Sequence, residues 1–161
     1  MVRTLLFALV LLGAATASCM DPVHSDDVDA LGPEVNGVRE GPEHRPGQPC
    51  TTCHASAGPG EPEFSVAGTV YARIDSDEPA VGATVTVTDV KGDKRSFGTN
   101  YAGNFYVSKT AWDPVFPLSI EVSYEGVKKQ MLTKIRRDAG CGLCHQKAGD
   151  PNHAPRVYVL P

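Results

Sequence analysis

The chain has 161 residues, a length that permits one domain with appended segments. Its formal charge is −4, and the sequence has no cluster of lysine and arginine that would predict a surface for binding nucleic acid or an anionic membrane. Aromatic residues make up only 7% of the chain, while 16 glycines and 13 prolines favour short strands, turns and irregular loops.

Residues 1–18 are predicted to be an export signal. Arg3 supplies a minimal positive charge, and Leu5 to Ala15 form an apolar stretch too short to span a bilayer. Thr16-Ala17-Ser18-Cys19 resembles a bacterial lipobox, which implies that Cys19 is lipidated and anchors the protein. Thr16 stands where that motif usually has leucine, and cleavage after Ala17 would instead release a soluble periplasmic protein.

The segment 19–43 is acidic, contains proline and glycine, and lacks apolar periodicity. It is predicted to be a flexible tether between the anchor and the folded domain.

The most informative pattern occurs twice, as Cys50-Thr-Thr-Cys53-His54 in segment 44–63 and as Cys141-Gly-Leu-Cys144-His145 in segment 135–161. Cys-x-x-Cys-His is the attachment signature of c-type haem. Each thiol adds across one vinyl group of the porphyrin, and the adjacent imidazole becomes an axial ligand of the iron. The chain therefore resembles the multihaem c-type cytochromes, which implies two covalent haem c groups with His54 and His145 as proximal ligands.

Other uses of the four cysteines remain open at this stage. Two Cys-x-x-Cys pairs can share one zinc ion, although such pairs usually lie about 15–20 residues apart and here nearly a whole domain separates them. Each pair could also form a disulfide in an oxidising compartment, but that chemistry does not require a histidine directly after the pair. The four residues could also be buried structural thiols.

Residues 64–134 are predicted to form a β-sandwich of six short strands. Alternation is clear in Ala83–Asp89, with valine inward and threonine outward, and in Leu118–Tyr124, which places Leu118, Ile120, Val122 and Tyr124 on one face. Glu125-Gly126 predicts a two-residue hairpin turn into Val127–Thr133. The remaining predicted strands are Phe64–Ile74, Lys94–Phe97 and Gly103–Val107.

Three runs within this region resemble the carboxypeptidase regulatory-like domain, a small transthyretin-like sandwich with Greek-key character. They are Gly68-Thr-Val70, Val81 to Asp89 and Thr99 to Phe105. The resemblance implies a scaffold or binding module and no hydrolysis, since no zinc-peptidase motif is present. The predicted fold class is therefore mainly β, with irregular haem-binding loops on either side of the sandwich.

The order of the elements predicts where the two motifs lie. Six strands separate them, and an even number of antiparallel strands returns the chain to the end where it started. Both haems are therefore expected at one pole of the sandwich. Arg156–Leu160 is expected to return to the sheet as a last strand.

The sixth iron ligands are sought among the remaining histidines and methionines. His44 lies six residues before Cys50, and His153 lies eight residues after His145, so each could fold over its haem as a distal ligand. His24 is expected to be a solvated side chain of the tether, and Met131 a core or edge side chain.

The resulting hypothesis is an exported dihaem c-type cytochrome that performs outer-sphere electron transfer with redox partner proteins of the cell envelope, held to the membrane by its lipid anchor. The sequence shows no grouping of acid and base residues that would predict an enzyme. The scattered aspartates, such as Asp89, are typical turn formers. Two alternatives remain: a cell-surface binding module whose cysteine pairs bind zinc or form disulfides, and a haem enzyme or sensor with an open iron position.

Overall fold

The computed structural model describes residues 21–34, 40–147 and 151–161. The predicted signal segment 1–18 and the lipidation candidate Cys19 lie outside these residues. Within the described part of the chain, no helix is long and apolar enough to cross a bilayer.

The fold is mainly β, as predicted, and resembles a small sandwich. A four-stranded antiparallel sheet has the order β3-β2-β5-β6, and β1 pairs with β4 in a second, two-stranded antiparallel sheet. The six strands are β1 (Phe64–Thr69), β2 (Thr84–Thr88), β3 (Lys94–Gly98), β4 (Asn104–Ser108), β5 (Ser119–Tyr124) and β6 (Val127–Gln130).

The core lies between these two sheets because alternate residues of each strand point inward. The predicted face of β5 is confirmed for Leu118, directly before the strand, and for Ile120 and Val122, which are buried, whereas Tyr124 at its end is only partly buried. Val85 of β2 is fully buried beside Val122 in the same sheet, and Val66 of β1, in the other sheet, is fully buried in the same core. This apolar contact is the principal stabilising interaction of the domain.

Turn residues set the strand connections. Glu125 and Gly126 both adopt positive φ, 49° and 79°, as a tight hairpin turn requires. Asp89 is the predicted turn former: its carboxylate accepts hydrogen bonds from the backbone N–H groups of Lys91, Asp93 and Val115.

The N-terminal segment corrects the expectation of an irregular tether. Pro22–Ala30 form helix α1, which begins at the N-cap Asp21, whose side chain accepts from the N–H groups of Val23 and His24. Proline at the first helical position also favours helix initiation, since its missing N–H would have no intrahelical partner there.

The C-terminal segment differs from the expected strand. Residues 156–160 contain a single bridge, Tyr71 to Tyr158, instead of a continuous ladder. Two flanking backbone hydrogen bonds, Tyr71 N–H to Val157 O at 2.9 Å and Leu160 N–H to Ala72 O at 2.8 Å, hold the segment beside the continuation of β1. A short parallel ladder that was not predicted pairs β7 (His145–Gln146) with β8 (Ala154–Pro155).

Candidate cofactor sites

The first Cys-x-x-Cys-His motif forms a compact turn. Cys50–Cys53 make one turn of helix, α2, and the N–H of His54 closes it with a 2.9 Å bond to the carbonyl of Cys50. The following loop wraps tightly around the motif, because a Cβ at Gly58 would clash with the carbonyl of Cys53.

The orientation of His54 is fixed by its neighbours. Its Nδ1 lies 2.9 Å from the carbonyl oxygen of Pro62, and its ring stacks on Phe64 with centroids 4.1 Å apart. A carbonyl can only accept a hydrogen bond, so Nδ1 carries the proton and Nε2 carries the lone pair. A buried histidine whose Nδ1–H is held by a backbone carbonyl is the usual arrangement of a metal-ligating imidazole.

The structure brings His44 beside His54, with ring centroids 6.0 Å apart and planes inclined by 66°. Two imidazoles on opposite sides of one metal have centroids roughly 6 Å apart, since each metal–nitrogen bond is about 2 Å and each ring centre lies about 1 Å beyond it. His44 Nδ1 lies 3.4 Å from Glu34 Oε1 but is not aligned for a hydrogen bond with any described residue. The predicted distal ligand therefore occupies a suitable position.

A buried polar network holds the backbone of His44. Asn104 of β4 donates from Nδ2 to the carbonyl of His44 at 3.0 Å and accepts from Thr69 Oγ1 at 2.6 Å, and Thr69 Oγ1 in turn accepts from the N–H of Gly47 at 2.7 Å. Both side chains are buried. They act as positioning residues for the loop that carries His44.

A cavity of about 1060 Å³ adjoins this motif, and both thiols and both histidines line it. Its outer wall is the segment expected to be a tether. Arg45 ties that segment down by donating to Glu34 Oε1 at 2.6 Å and to the carbonyl of Gly32 at 2.8 Å. The volume is at the upper end of the range for small-molecule and cofactor pockets, roughly 300–1,000 Å³.

The second motif repeats the arrangement with different elements. Cys141–Leu143 form a 3₁₀ turn, and His145 begins β7. His145 Nδ1 lies 2.7 Å from the carbonyl oxygen of Pro155, so Nε2 again carries the lone pair. A second cavity, of about 870 Å³, is lined by Cys141, Cys144 and His145.

The distal candidates at the second site do not lie where the sequence predicts. His153 is absent from the wall of this cavity, whereas Met131 belongs to it. The reason is the parallel ladder, which aligns His145 with Ala154 and leaves His153 in the bend before β8. Met131, expected to be only a core or edge side chain, packs on the core and also faces this cavity.

The two motifs pack directly against each other. Thr51 Oγ1 donates to Asp138 Oδ1 at 3.1 Å, and the same carboxylate oxygen accepts from the N–H of Gly140 at 2.8 Å. Gly68 of β1 lies beneath the second motif, and a Cβ there would come within 2.8 Å of Cys141 Sγ. The two motifs therefore lie side by side against β1, where the N–H of Ala67 also donates to the carbonyl of Ala139 at 3.1 Å, and the placement of two haems at one pole stays a prediction.

The first thiol of each motif is the deeper one. Burial raises the pKa of Cys50 to about 11. Burial, with a smaller contribution from neighbouring Cys50, raises the pKa of Cys141 to about 12. Burial also raises the pKa of Cys53, which is less deeply enclosed than Cys50, and Cys144 is exposed, so the difference between an inner and an outer sulfur is clearest in the second motif.

The alternatives for the cysteines can be compared with this geometry. All four motif cysteines are free thiols. Within residues 21–34, 40–147 and 151–161, no group of three or more His, Cys, Asp or Glu side chains is arranged to hold a metal ion by itself. The arrangement in each motif is instead two thiols and one oriented imidazole facing an open cavity, which is the donor set that a covalently attached metalloporphyrin requires.

Several site residues were missed in the sequence. Pro62 and Pro155, whose carbonyls orient the two histidines, lie in the Gly/Pro-rich loops after each motif, and that shared position is the signal that could have indicated them. His24, expected to be solvated, has a buried Nε2 without a hydrogen-bond partner among the described residues. Asn104 and Thr69 give no local signal, since their role depends on the pairing of β1 with β4.

Comparison with protein-family models, with curated proteins and with solved structures finds no match to this chain.

Proposed function

We propose that the protein is an exported dihaem c-type cytochrome that transfers electrons at the cell envelope. The observation that carries the proposal is the repeated orientation of the motif histidines. His54 and His145 each donate Nδ1–H to a proline carbonyl, which leaves Nε2 for a metal, and each lines a cavity together with the two thiols of its own motif.

In this proposal Cys50 and Cys53 hold one haem through thioether bonds, and Cys141 and Cys144 hold the other. When bound, the haem iron supplies the one-electron redox chemistry, while the chain positions and tunes it. Pro62 and Phe64 keep the His54 ring fixed in two directions. A rigid imidazole limits the reorganisation that accompanies a change of iron charge.

Electron transfer is favoured over ligand-binding chemistry at the first site by the position of His44. The centroid of its ring lies 6.0 Å from that of His54, a separation at which both imidazoles would hold one metal ion. Two protein ligands leave no iron position for substrate and lower the reduction potential relative to a histidine–methionine pair. His44→Ala is expected to convert a low-spin, six-coordinate spectrum of this haem into one that responds to carbon monoxide or cyanide.

The proposal is tested by producing the full chain in a host that exports proteins and matures c-type cytochromes. Mass spectrometry of the mature polypeptide is expected to show two added macrocycles, and metal analysis two irons per chain. The variant Cys50→Ala/Cys53→Ala and the variant Cys141→Ala/Cys144→Ala are each expected to retain one. A control cytochrome matured in the same cells shows that the host is competent.

An unmodified polypeptide beside a correctly matured control would overturn the proposal. One zinc ion per chain would favour the binding-module alternative, and carbon monoxide binding by native, unsubstituted protein would favour a haem enzyme or sensor. The proposed membrane attachment is tested separately: incorporation of labelled fatty acid is expected for the parent chain and is expected to be lost in Cys19→Ser.

A further inference from the structure

The two cavities are surrounded by opposite charge. The wall of the second cavity carries five cationic side chains and one carboxylate: Lys129, Lys134, Arg136, Arg137, Arg156 and Asp138. The wall of the first carries four carboxylates and one guanidinium: Asp29, Glu34, Glu40, Glu61 and Arg45. In a chain with a net charge of −4, the second cavity is therefore a local cationic region.

Two of the five cations are engaged within the protein. Arg156 is buried, donates to Asp77 Oδ1 at 2.8 Å and to the carbonyl of Ser76 at 2.7 Å, and lies over the ring of Tyr71. Lys129 Nζ lies 3.5 Å above the ring centroid of Tyr158. These two side chains are consequently held in place and are not free to meet a partner.

The other three cations, Lys134, Arg136 and Arg137, are exposed and form no ion pair with any described residue. Two neighbouring apolar side chains also face solvent: Leu143 lies on the wall of the same cavity, and Leu132 lies two residues before Lys134 in the chain. Leu132 is fully exposed, and Leu143 of the second motif is 37% exposed. We call these five residues the basic mouth of the second site.

We propose that the basic mouth docks an acidic redox protein, so that electrons enter or leave this cytochrome through its second site. The inference rests on the proposed function. Unpaired surface cations around a cavity steer anionic partners toward it, and exposed leucines supply the apolar contact at the centre of such an interface. An anionic bilayer is the less suitable partner, because lipid-binding clusters usually hold about four to eight cations and this one holds three with Asp138 beside them.

The first test measures electron exchange with small charged probes in the matured full-length protein. Oxidation of the reduced protein by hexacyanoferrate(III) removes one electron from the protein and gives hexacyanoferrate(II). Its second-order rate constant is expected to fall as ionic strength rises, because an anionic probe is attracted to the basic mouth. Hexaammineruthenium(III), a cationic oxidant, is repelled by the basic mouth, so neutralising cations there is expected not to lower its rate constant.

Charge removal at the mouth gives the matched comparison. Arg136→Gln/Arg137→Gln is expected to lower the hexacyanoferrate(III) rate constant about tenfold at low ionic strength. Lys91→Gln/Lys94→Gln removes the same charge at the β2–β3 hairpin, on the opposite edge of the four-stranded sheet, and is expected to leave the rate constant unchanged. Equal effects of the two variants, or a rate constant that rises with salt, would overturn the inference.

The second test locates the anion without electron transfer. Hexacyanochromate(III), a redox-inert paramagnetic anion, is expected to broaden the backbone amide signals of the basic mouth and to spare those near Lys91. Broadening elsewhere alone, or tighter binding to phosphatidylglycerol vesicles than to an acidic electron-transfer protein, would overturn the proposal. Covalent haem staining of the same sample keeps this outcome separate from a failure of the proposed function.

Discussion

The contact between the two motifs can be tested with a single methyl group at Gly142. This residue is buried in the 3₁₀ turn of the second motif, beneath the loop that leads into the first. A Cβ there would lie 2.5 Å from the carbonyl oxygen of Gln48, 2.7 Å from its carbonyl carbon and 2.8 Å from the nitrogen of Pro49. All three are backbone atoms, so no side-chain rotation relieves the clash.

The expected loss of stability is large because only a shift of the backbone would relieve this clash. Overpacking a well-packed site costs typically 1–3 kcal/mol, and a clash with backbone alone is expected near the upper part, about 2–3 kcal/mol. For a domain of this size that corresponds to a fall of roughly 8–12 °C in melting temperature. The assay is urea unfolding of the reduced, haem-free chain, followed by far-UV circular dichroism.

Gly98→Ala provides the control. Gly98 has no atom within 4 Å of an added Cβ, and its φ lies outside the left-handed region. Alanine there is expected to leave stability within about 0.5 kcal/mol or to raise it by up to about 1 kcal/mol through the unfolded chain. If Gly142→Ala proves as stable as Gly98→Ala, the two motifs do not pack as described.

Three further outcomes are expected for the haem-free chain. Leu118→Ala removes a fully buried side chain and is expected to cost about 2–5 kcal/mol in urea unfolding, whereas Leu132→Ala, at an exposed position, should change stability by less than about 0.5 kcal/mol. Iodoacetamide at pH 8 should alkylate Cys53 and Cys144 well before Cys50. A pKa of about 11, against an ordinary 9.0, makes the thiolate form of Cys50 roughly a hundredfold rarer than that of an ordinary cysteine. Equal alkylation rates by peptide mass mapping would contradict the described burial. Above pH 9 the unfolded chain loses the Cys50 proton that the folded chain retains, so the contribution of Cys50 to the free energy of unfolding is present below pH 9 and should be lost as pH rises toward 11. Cys50→Ser should lessen this loss of stability. A urea midpoint with the same pH dependence in both proteins would refute the argument.

The strands could be predicted because their signals are local. Alternation in β5 put Leu118, Ile120 and Val122 on one face, and the structure buries all three. Glu125-Gly126 has the positive φ values that its sequence suggests for a two-residue turn. Such features depend on residues two apart or adjacent, which a single sequence displays directly.

Helix α1 was missed because its stabilisation is not local. The segment has no apolar stripe, none of its residues is buried, and only Asp21 followed by Pro22 marks a helix start. Arg45, beyond the helix, donates to the carbonyls of Leu31 and Gly32 and so fixes the end of the segment. Contacts of that kind become visible only once the chain is folded.

The two candidate sites also differ in how far they depend on local sequence. His44 lies beside His54 because it is on the loop that directly precedes the first motif, so a short sequence separation was enough to indicate their proximity. The second site depends on a two-residue parallel ladder between β7 and β8, which has no recognisable strand pattern. That ladder leaves His153 outside the cavity wall and Met131 inside it.

The bond between Thr51 and Asp138 joins residues separated by 87 positions. Closing so long a loop depends on the six strands between them, and its entropic cost is recovered only when the sandwich has formed. The contact between the two motifs is thus a product of tertiary folding and not of either pentapeptide. In the proposed cytochrome, exchange of an electron between the two haems would therefore report the integrity of the whole sheet framework, and a chain broken within the sandwich is expected to lose it.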